Sequence, residues 1–75
     1  MSATNPEQKQ TLVLHRERVK KGLSLRDLGK LVGVHRSTIS YWEYGIKEPR
    51  DKNKIKLVAI FGMKIEDLLA VDNNN

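Results

Sequence analysis

The sequence predicts an all-α fold, five short helices in one small domain, and three observations lead there. Between glycines at 22, 33, 45 and 62 the apolar residues fall at helical rather than alternating spacing. There are 75 residues and no cysteine, so neither disulfides nor thiolate metal sites are available. The fold must then rest on packing alone near the lower size limit for a single core, which favours compact helices. Two separate histidines offer no zinc set, so no metal and no cofactor is expected.

The first helix is predicted over about 9–21, with Leu14 and Val19 inward, basic residues in its last turn, and Gly22 placed where a helix end turns left-handed. The second begins after Ser24. Its hydroxyl can cap the free amides while Asp27, three residues on, completes a capping-box pair, and the helix ends near Val32 because Gly33 follows. The third covers about 36–44, with His35 at the N-cap position and Ile39 and Trp42 on the buried side. A loop follows over 46–50, where Pro49 bars helix. Asp51 is then expected to cap a fourth helix whose inner face is Ile55, Leu57, Val58, Ile60 and Phe61, with Gly62 as its stop. A fifth helix over about 65–70 contributes Ile65, Leu68 and Leu69 and closes the core. Segments 1–8 and 72–75 are polar with no apolar period and are expected to be frayed ends around a folded unit of 9–71.

Lys and Arg total 14 against 9 acids, a net charge of +5 that favours a polyanionic partner. Eleven of the fourteen basic residues and five of the nine acids lie within 16–54, leaving +6 in that stretch. No apolar run approaches the roughly 18–20 residues that cross a bilayer. The start, MSATNPEQKQ, lacks the apolar stretch of a secretion signal, so a cytoplasmic, nucleoid-associated location and no membrane partner are expected.

The most informative spacing lies in residues 25–44, LRDLGKLVGVHRSTISYWEY. Leu28, Val32, Val34, Ile39 and Trp42 are the apolar positions, Gly29 stands at the fifth place and Gly33 at the ninth. Two helices crossing steeply through a tight turn require this pattern: a tiny residue where the axes approach, one tolerant of positive φ at the turn, and apolar residues facing a shared core. Such a pair projects its second helix outward. Here that helix carries Arg36, Ser37, Ser40 and Tyr41 on its free face, and a protruding helix of this kind matches the width of a DNA major groove.

From about Leu14 to Leu69 the chain resembles the lambda-repressor-like (XRE/Cro/cI-type) helix-turn-helix proteins. The resemblance is carried by RVKKGLSLRDLGKLVGVHRSTISYWEYG, the proline at 49 and IKLVAIFGMKIEDLL. It implies a compact five-helix domain that binds double-stranded DNA sequence-specifically and acts most often as a repressor. It also implies a homodimer on a palindromic operator, with recognition helices roughly 34 Å apart. A dimer contact would use Met63, Ile65, Leu69 and Val71, or form only on DNA.

By this resemblance the start of the third helix reads base edges through Arg36, Ser37, Ser40 and Tyr41. A guanidinium fork at Arg36 can donate twice to guanine, which is worth about 1–3 kcal/mol of discrimination; the plainer reading is a solvated arginine at a helix start. Tyr41 has three open roles, its ring on a thymine methyl, its hydroxyl on a phosphate, or its side chain leaning on the neighbouring helix. Phosphate contacts are assigned to Ser24, Arg26, Lys30, His35, Thr38, Tyr44, Lys47, Arg50 and Lys52. Structural roles fall to Gly33 at the turn and to Trp42, which continues the Ile39 face. Arg18 and Glu43 stand at positions that pair in many relatives and join the first helix to the end of the third. An inconsequential surface pair is the alternative there.

Four residues depart from the family pattern. Leu25 stands where a phosphate-holding glutamine is common, and Gly29 replaces an alanine at a helix-propensity cost of up to about 1 kcal/mol. Glu17 and Lys54 occupy places that are usually apolar, so a marginally stable core is expected. Catalysis finds no support: no glycine-rich phosphate loop follows a strand, and His15 and His35 lack a paired carboxylate motif. The rival reading is a protein-interaction module of the same fold, antitoxin-like or regulatory, with Ile46 and Val71 available for contacts. Membrane-surface binding is disfavoured because the apolar faces are needed for the core. RNA binding lacks an aromatic stacking surface.

Overall fold

A computed structural model describes residues 10–73. Five helices follow in order: α1 Val13–Lys20, α2 Leu25–Val32, α3 Arg36–Glu43, α4 Asp51–Phe61 and α5 Ile65–Leu68. Among the described residues the extended pairing is confined to one antiparallel bridge, Leu12 to Val71. The predicted all-α architecture is therefore the observed one.

Helices this short are unstable alone, and packing of their apolar faces supplies what propensity does not. Each contributes to one cluster: Leu14 from α1, Leu28 and Val32 from α2, Ile39 and Trp42 from α3, Leu57 from α4 and Leu68 from α5. Leu23, Leu25, Val34, Ile60, Phe61, Met63 and Ile65 pack against it half-buried. Leu25, which stands in place of the expected glutamine, thus adds to the core.

Several expectations need correction. Val19 is 55% exposed and does not face inward. It lies about 140° around the helix from Leu14, whereas Arg18, one turn after Leu14, is only about 40° away and takes the inward place. α1 also starts late. Gln10 and Thr11 are non-helical and Leu12 is an extended N-cap; the predicted start at 9 lies outside the described residues. Tertiary backbone partners claim this segment: Leu12 N–H donates to Glu43 O at 2.7 Å, Val13 N–H to Ala70 O at 2.9 Å, and Asp72 N–H to Thr11 O at 3.0 Å. The same clasp ends α5 at Leu68 rather than 70, because the Ala70 carbonyl accepts from Val13 and Val71 pairs with Leu12. It also orders Asp72, whose carboxylate meets Arg16 Nη1 at 2.8 Å, so Asp72 is not frayed. Residues 1–8 and 74–75 lie outside the described part.

In α4 the helical phase divides the five apolar residues expected on the inner face. Ile55 is 71% exposed and Val58 37%, while Leu57 is buried. Ile55 lies about 160° from Leu57 around the helix, and the inward stripe is instead Asn53, Leu57, Ile60 and Phe61 at i, i+4, i+7 and i+8. Asp51 does not cap this helix. Arg50 holds the N-cap position with no side-chain cap, and Asp51 is the first helical residue, its charge beside the positive helix end.

Neither unusual charge enters the core unpaired. Glu17 Oε2 lies 3.6 Å from Arg16 and 3.5 Å from Lys20. Lys54 Nζ donates to Glu48 Oε2 at 2.6 Å, and that bond raises the Lys54 pKa. No described helix is long and apolar enough to cross a membrane.

Candidate nucleic-acid interface

The start of α2 is fixed by its own side chains. Ser24 Oγ accepts the Asp27 N–H at 2.9 Å and Asp27 Oδ2 accepts the Ser24 N–H at 3.0 Å, the predicted capping box. The Ser24 N–H bond, and after it the Ser24 hydroxyl, hold the Asp27 carboxyl below the usual carboxylate range. At the other end Gly29 O accepts the N–H of both Gly33, at 2.7 Å, and Val34, at 2.9 Å. Gly33 has φ of +90°, which an L side chain rarely adopts.

Gly29 also has a role that propensity does not describe. A Cβ there would stand 2.7 Å from Val34 O and 3.3 Å from Arg36 N. Its missing side chain is what allows α3 to begin so close to α2, so the propensity cost accompanies a packing requirement. Lys56, which the sequence did not single out, braces the same turn from α4 by donating to Val32 O at 2.9 Å.

α3 opens on His35, whose Nδ1 accepts the Ser37 N–H at 3.0 Å and lies 2.8 Å from Ser37 Oγ. An Nδ1 that accepts a backbone N–H places the proton of the neutral ring on Nε2. Ile39, Trp42 and Glu43 are buried. At about 100° per residue, Ser37, Ser40, Tyr41 and Tyr44 fall on the opposite face, whereas Arg36 lies on the side of Glu43 and is exposed because it is the first residue of the helix. Arg36, Ser37, Tyr41 and Tyr44 are exposed and Ser40 is half-buried; Thr38 is half-buried on the inner flank.

Cationic groups surround this face. Arg26, Lys30, His35 and Arg36 line one crease between α2 and the start of α3, with Val34 at its floor. Arg36 therefore lies in the crease of the expected phosphate ligands, beside the outer face of α3 rather than on it. Lys47 Nζ lies 5.2 Å from the Tyr41 ring centroid, a cation–π contact that steadies both. Arg50 and Lys52 are exposed at the start of α4, and Ser24 at the start of α2.

The C-terminal end of α3 is anchored differently. Arg18 Nε donates to Glu43 Oε2 at 2.6 Å, Nη2 to Oε1 at 3.2 Å and Nη1 to Leu23 O at 2.7 Å. The two side chains are 10% and 2% exposed, so this is not a surface pair. His15 joins them, its Nδ1 2.7 Å from Glu43 Oε1. No local motif pairs His15 with a carboxylate because its partner lies 28 residues away; the readable signal was its place one turn before Arg18 on the same helix stripe.

Next to this end opens a groove of about 880 Å³ whose lining includes Leu12, Tyr44, Ile46, Ile65, Leu69 and Val71. Three of the four residues expected at a dimer contact line it; the fourth, Met63, packs against the core.

A family model described as helix-turn-helix matches residues 14–68. The chain is similar to an uncharacterized HTH-type transcriptional regulator of Archaeoglobus fulgidus, 38% identical over 56 residues, covering 75% of this chain and 80% of that protein. Another from the same organism is 38% identical over 55 residues, covering 73% and 78%. One from Methanocaldococcus jannaschii is 38% identical over 52 residues, covering 69% and 79%.

Proposed function

The chain belongs to the lambda-repressor-like helix-turn-helix family, and from that premise we propose that it is a transcriptional regulator that binds double-stranded DNA sequence-specifically through α3 in the major groove. One observation carries the reading: the face of α3 turned away from the core is polar and hydrogen-bonding, and basic residues ring it. Arg36, Ser37, Ser40 and Tyr41 read base edges. The amides at the start of α2, with Ser24, Arg26, Lys30, His35, Thr38, Tyr44, Lys47, Arg50 and Lys52, hold the flanking phosphates. The protein acts in the cytoplasm, at the nucleoid, as a repressor that occludes a promoter. It is a binder, not an enzyme.

Two copies would bind an inverted repeat, α3 of each entering the groove about one turn, roughly 34 Å, from the other. The groove beside α5 is the surface for that pairing. A partner-binding module is the second reading, favoured by the same groove, with Ile46 and Val71 in its lining, but opposed by the polar face of α3.

Selection of binding sites from random duplex DNA at a fixed salt concentration, with wild type and Arg36→Ala in parallel, tests the proposal. An enriched palindrome that loses its preference at one base pair in the variant is the expected outcome. Enrichment of nothing would move the reading to the partner-binding module. Lys47→Ala should weaken binding to all sequences alike and shallow the salt slope by about one unit; an unchanged slope would remove Lys47 from the phosphate contacts.

A further inference from the structure

Glu43, the last residue of α3, is gripped by three residues spaced three apart along α1: its N-cap Leu12, His15 in the first turn and Arg18 in the last. Leu12 N–H donates to its carbonyl at 2.7 Å, His15 Nδ1 lies 2.7 Å from Oε1, and Arg18 Nε donates to Oε2 at 2.6 Å. Positions 12, 15 and 18 form one i, i+3 stripe, so a single edge of α1 holds both backbone and side chain of one α3 residue. The Arg18–Glu43 pair belongs to the family pattern.

His15 Nδ1 lies 2.7 Å from Glu43 Oε1, an acceptor, and 3.2 Å from Arg18 Nη2, which can only donate; the shorter contact, to the carboxylate, is the one a protonated Nδ1 makes. Oε1 has one other donor, Arg18 Nη2, at the longer 3.2 Å. The close donor to Oε1 is thus His15, and the close donor to Oε2 is Arg18. A carboxylate pulled short at both oxygens is fixed in its plane as well as in its position, whereas one held short at a single oxygen can swivel. Because Glu43 is buried and terminates α3, a swivel there is transmitted to the helix.

We infer that His15 is a positioning residue. With Arg18 it locks both oxygens of Glu43 and so sets the angle at which α3 presents Arg36, Ser37, Ser40 and Tyr41. It touches no DNA, and its consequence for specificity rests on the DNA-binding reading above.

The test compares His15→Leu with His15→Asn in the full chain. An asparagine amide stands near the place of Nδ1 and can donate to Oε1; leucine cannot. Asparagine is also the poorer helix former, so any recovery in His15→Asn does not come from helix propensity. Three readouts are taken: the imidazole ¹⁵N shifts of wild type, the backbone amide spectrum of α3, and affinity for the selected palindrome against an unrelated duplex at one salt concentration.

The expected result is an Nδ1-protonated ring in wild type. In His15→Leu the amides of 36–43 shift and the preference for the palindrome drops about tenfold, the scale of one lost hydrogen bond to a charged group, while binding to unrelated duplex is unchanged. His15→Asn restores both. A neutral ring protonated only at Nε2 overturns the inference, and this readout stands even if His15→Leu does not fold. Unmoved α3 amides in a folded His15→Leu, equal losses on both duplexes, or failure of Asn to restore also overturn it. A wild type without preference for any duplex refutes the DNA reading instead, and the clamp is then decided by the ring and the α3 amides alone.

Discussion

Replacing Arg18 with methionine removes the guanidinium fork while keeping most of the apolar stem. Glu43, with its side chain 2% exposed, would lose its Nε donor at 2.6 Å and its Nη2 donor at 3.2 Å and face His15 alone. Leu23 O would lose the 2.7 Å bond from Nη1. Breaking a buried ion pair from one side costs about 3–5 kcal/mol, because the remaining charge is left without its partner. Total stability for a chain of this length is about 4–11 kcal/mol, at 0.05–0.15 kcal/mol per residue. Arg18→Met should therefore remove about a quarter of the stability at the least, and in a marginal domain most of it. Urea unfolding followed by circular dichroism measures this directly. With a slope of about 1 kcal/mol/M the midpoint falls by about 3 M or more. The companion variant, Arg18→Met with Glu43→Leu, removes both charges and should recover most of the loss. The reasoning is refuted if Arg18→Met lies within about 1 kcal/mol of wild type, the scale of an exposed pair. Losses that simply add in the double variant refute it as well.

Two further outcomes concern the helix-turn-helix scaffold. Gly33→Ala meets nothing closer than Lys56 Nζ at 3.8 Å, so its effect is conformational rather than steric. Forcing an L side chain to positive φ should lower stability by about 1–2 kcal/mol in the same urea assay, and an unchanged midpoint would contradict this. For Asp27 the sign follows from its lowered pKa: the folded state binds the proton more weakly than the unfolded one. The capping contribution is thus fully present above the unfolded pKa of about 3.9 and is lost as pH falls through the folded value. Unfolding midpoints of wild type and Asp27→Asn should differ at neutral pH and converge in acid, whereas a constant gap down to about pH 2 would remove Asp27 from the cap.

The features legible in the sequence are those whose partners lie within a few residues. Ser24 and Asp27 close a capping box across three positions, His35 caps the helix that begins one residue later, and Gly33 is needed wherever a tight turn demands positive φ. Ile39 and Trp42, three residues apart, define the inner side of α3 and hence its outer side. The outer face of α3, with Ser37, Ser40, Tyr41 and Tyr44, was legible for the same reason, since it is the complement of that core stripe.

Partners far along the chain decided the rest. Five apolar residues in α4 are compatible with more than one phase, and only the position of the other helices chose Leu57 over Ile55 and Val58. Val19 lost its inward place to Arg18 because a buried carboxylate was waiting there. His15 looked isolated until Glu43 came within 2.7 Å of it, and Asp72 looked like tail until Arg16 and Thr11 held it. By itself the sequence determined the number and order of the helices, the caps of α2 and α3 and the turn between them, because those rest on hydrogen bonds and dihedral preferences spanning about one helical turn. Which face each flanking helix buries, and how the recognition helix is clamped, were decided only by tertiary structure, because desolvation and charge pairing depend on which distant surface closes over a residue.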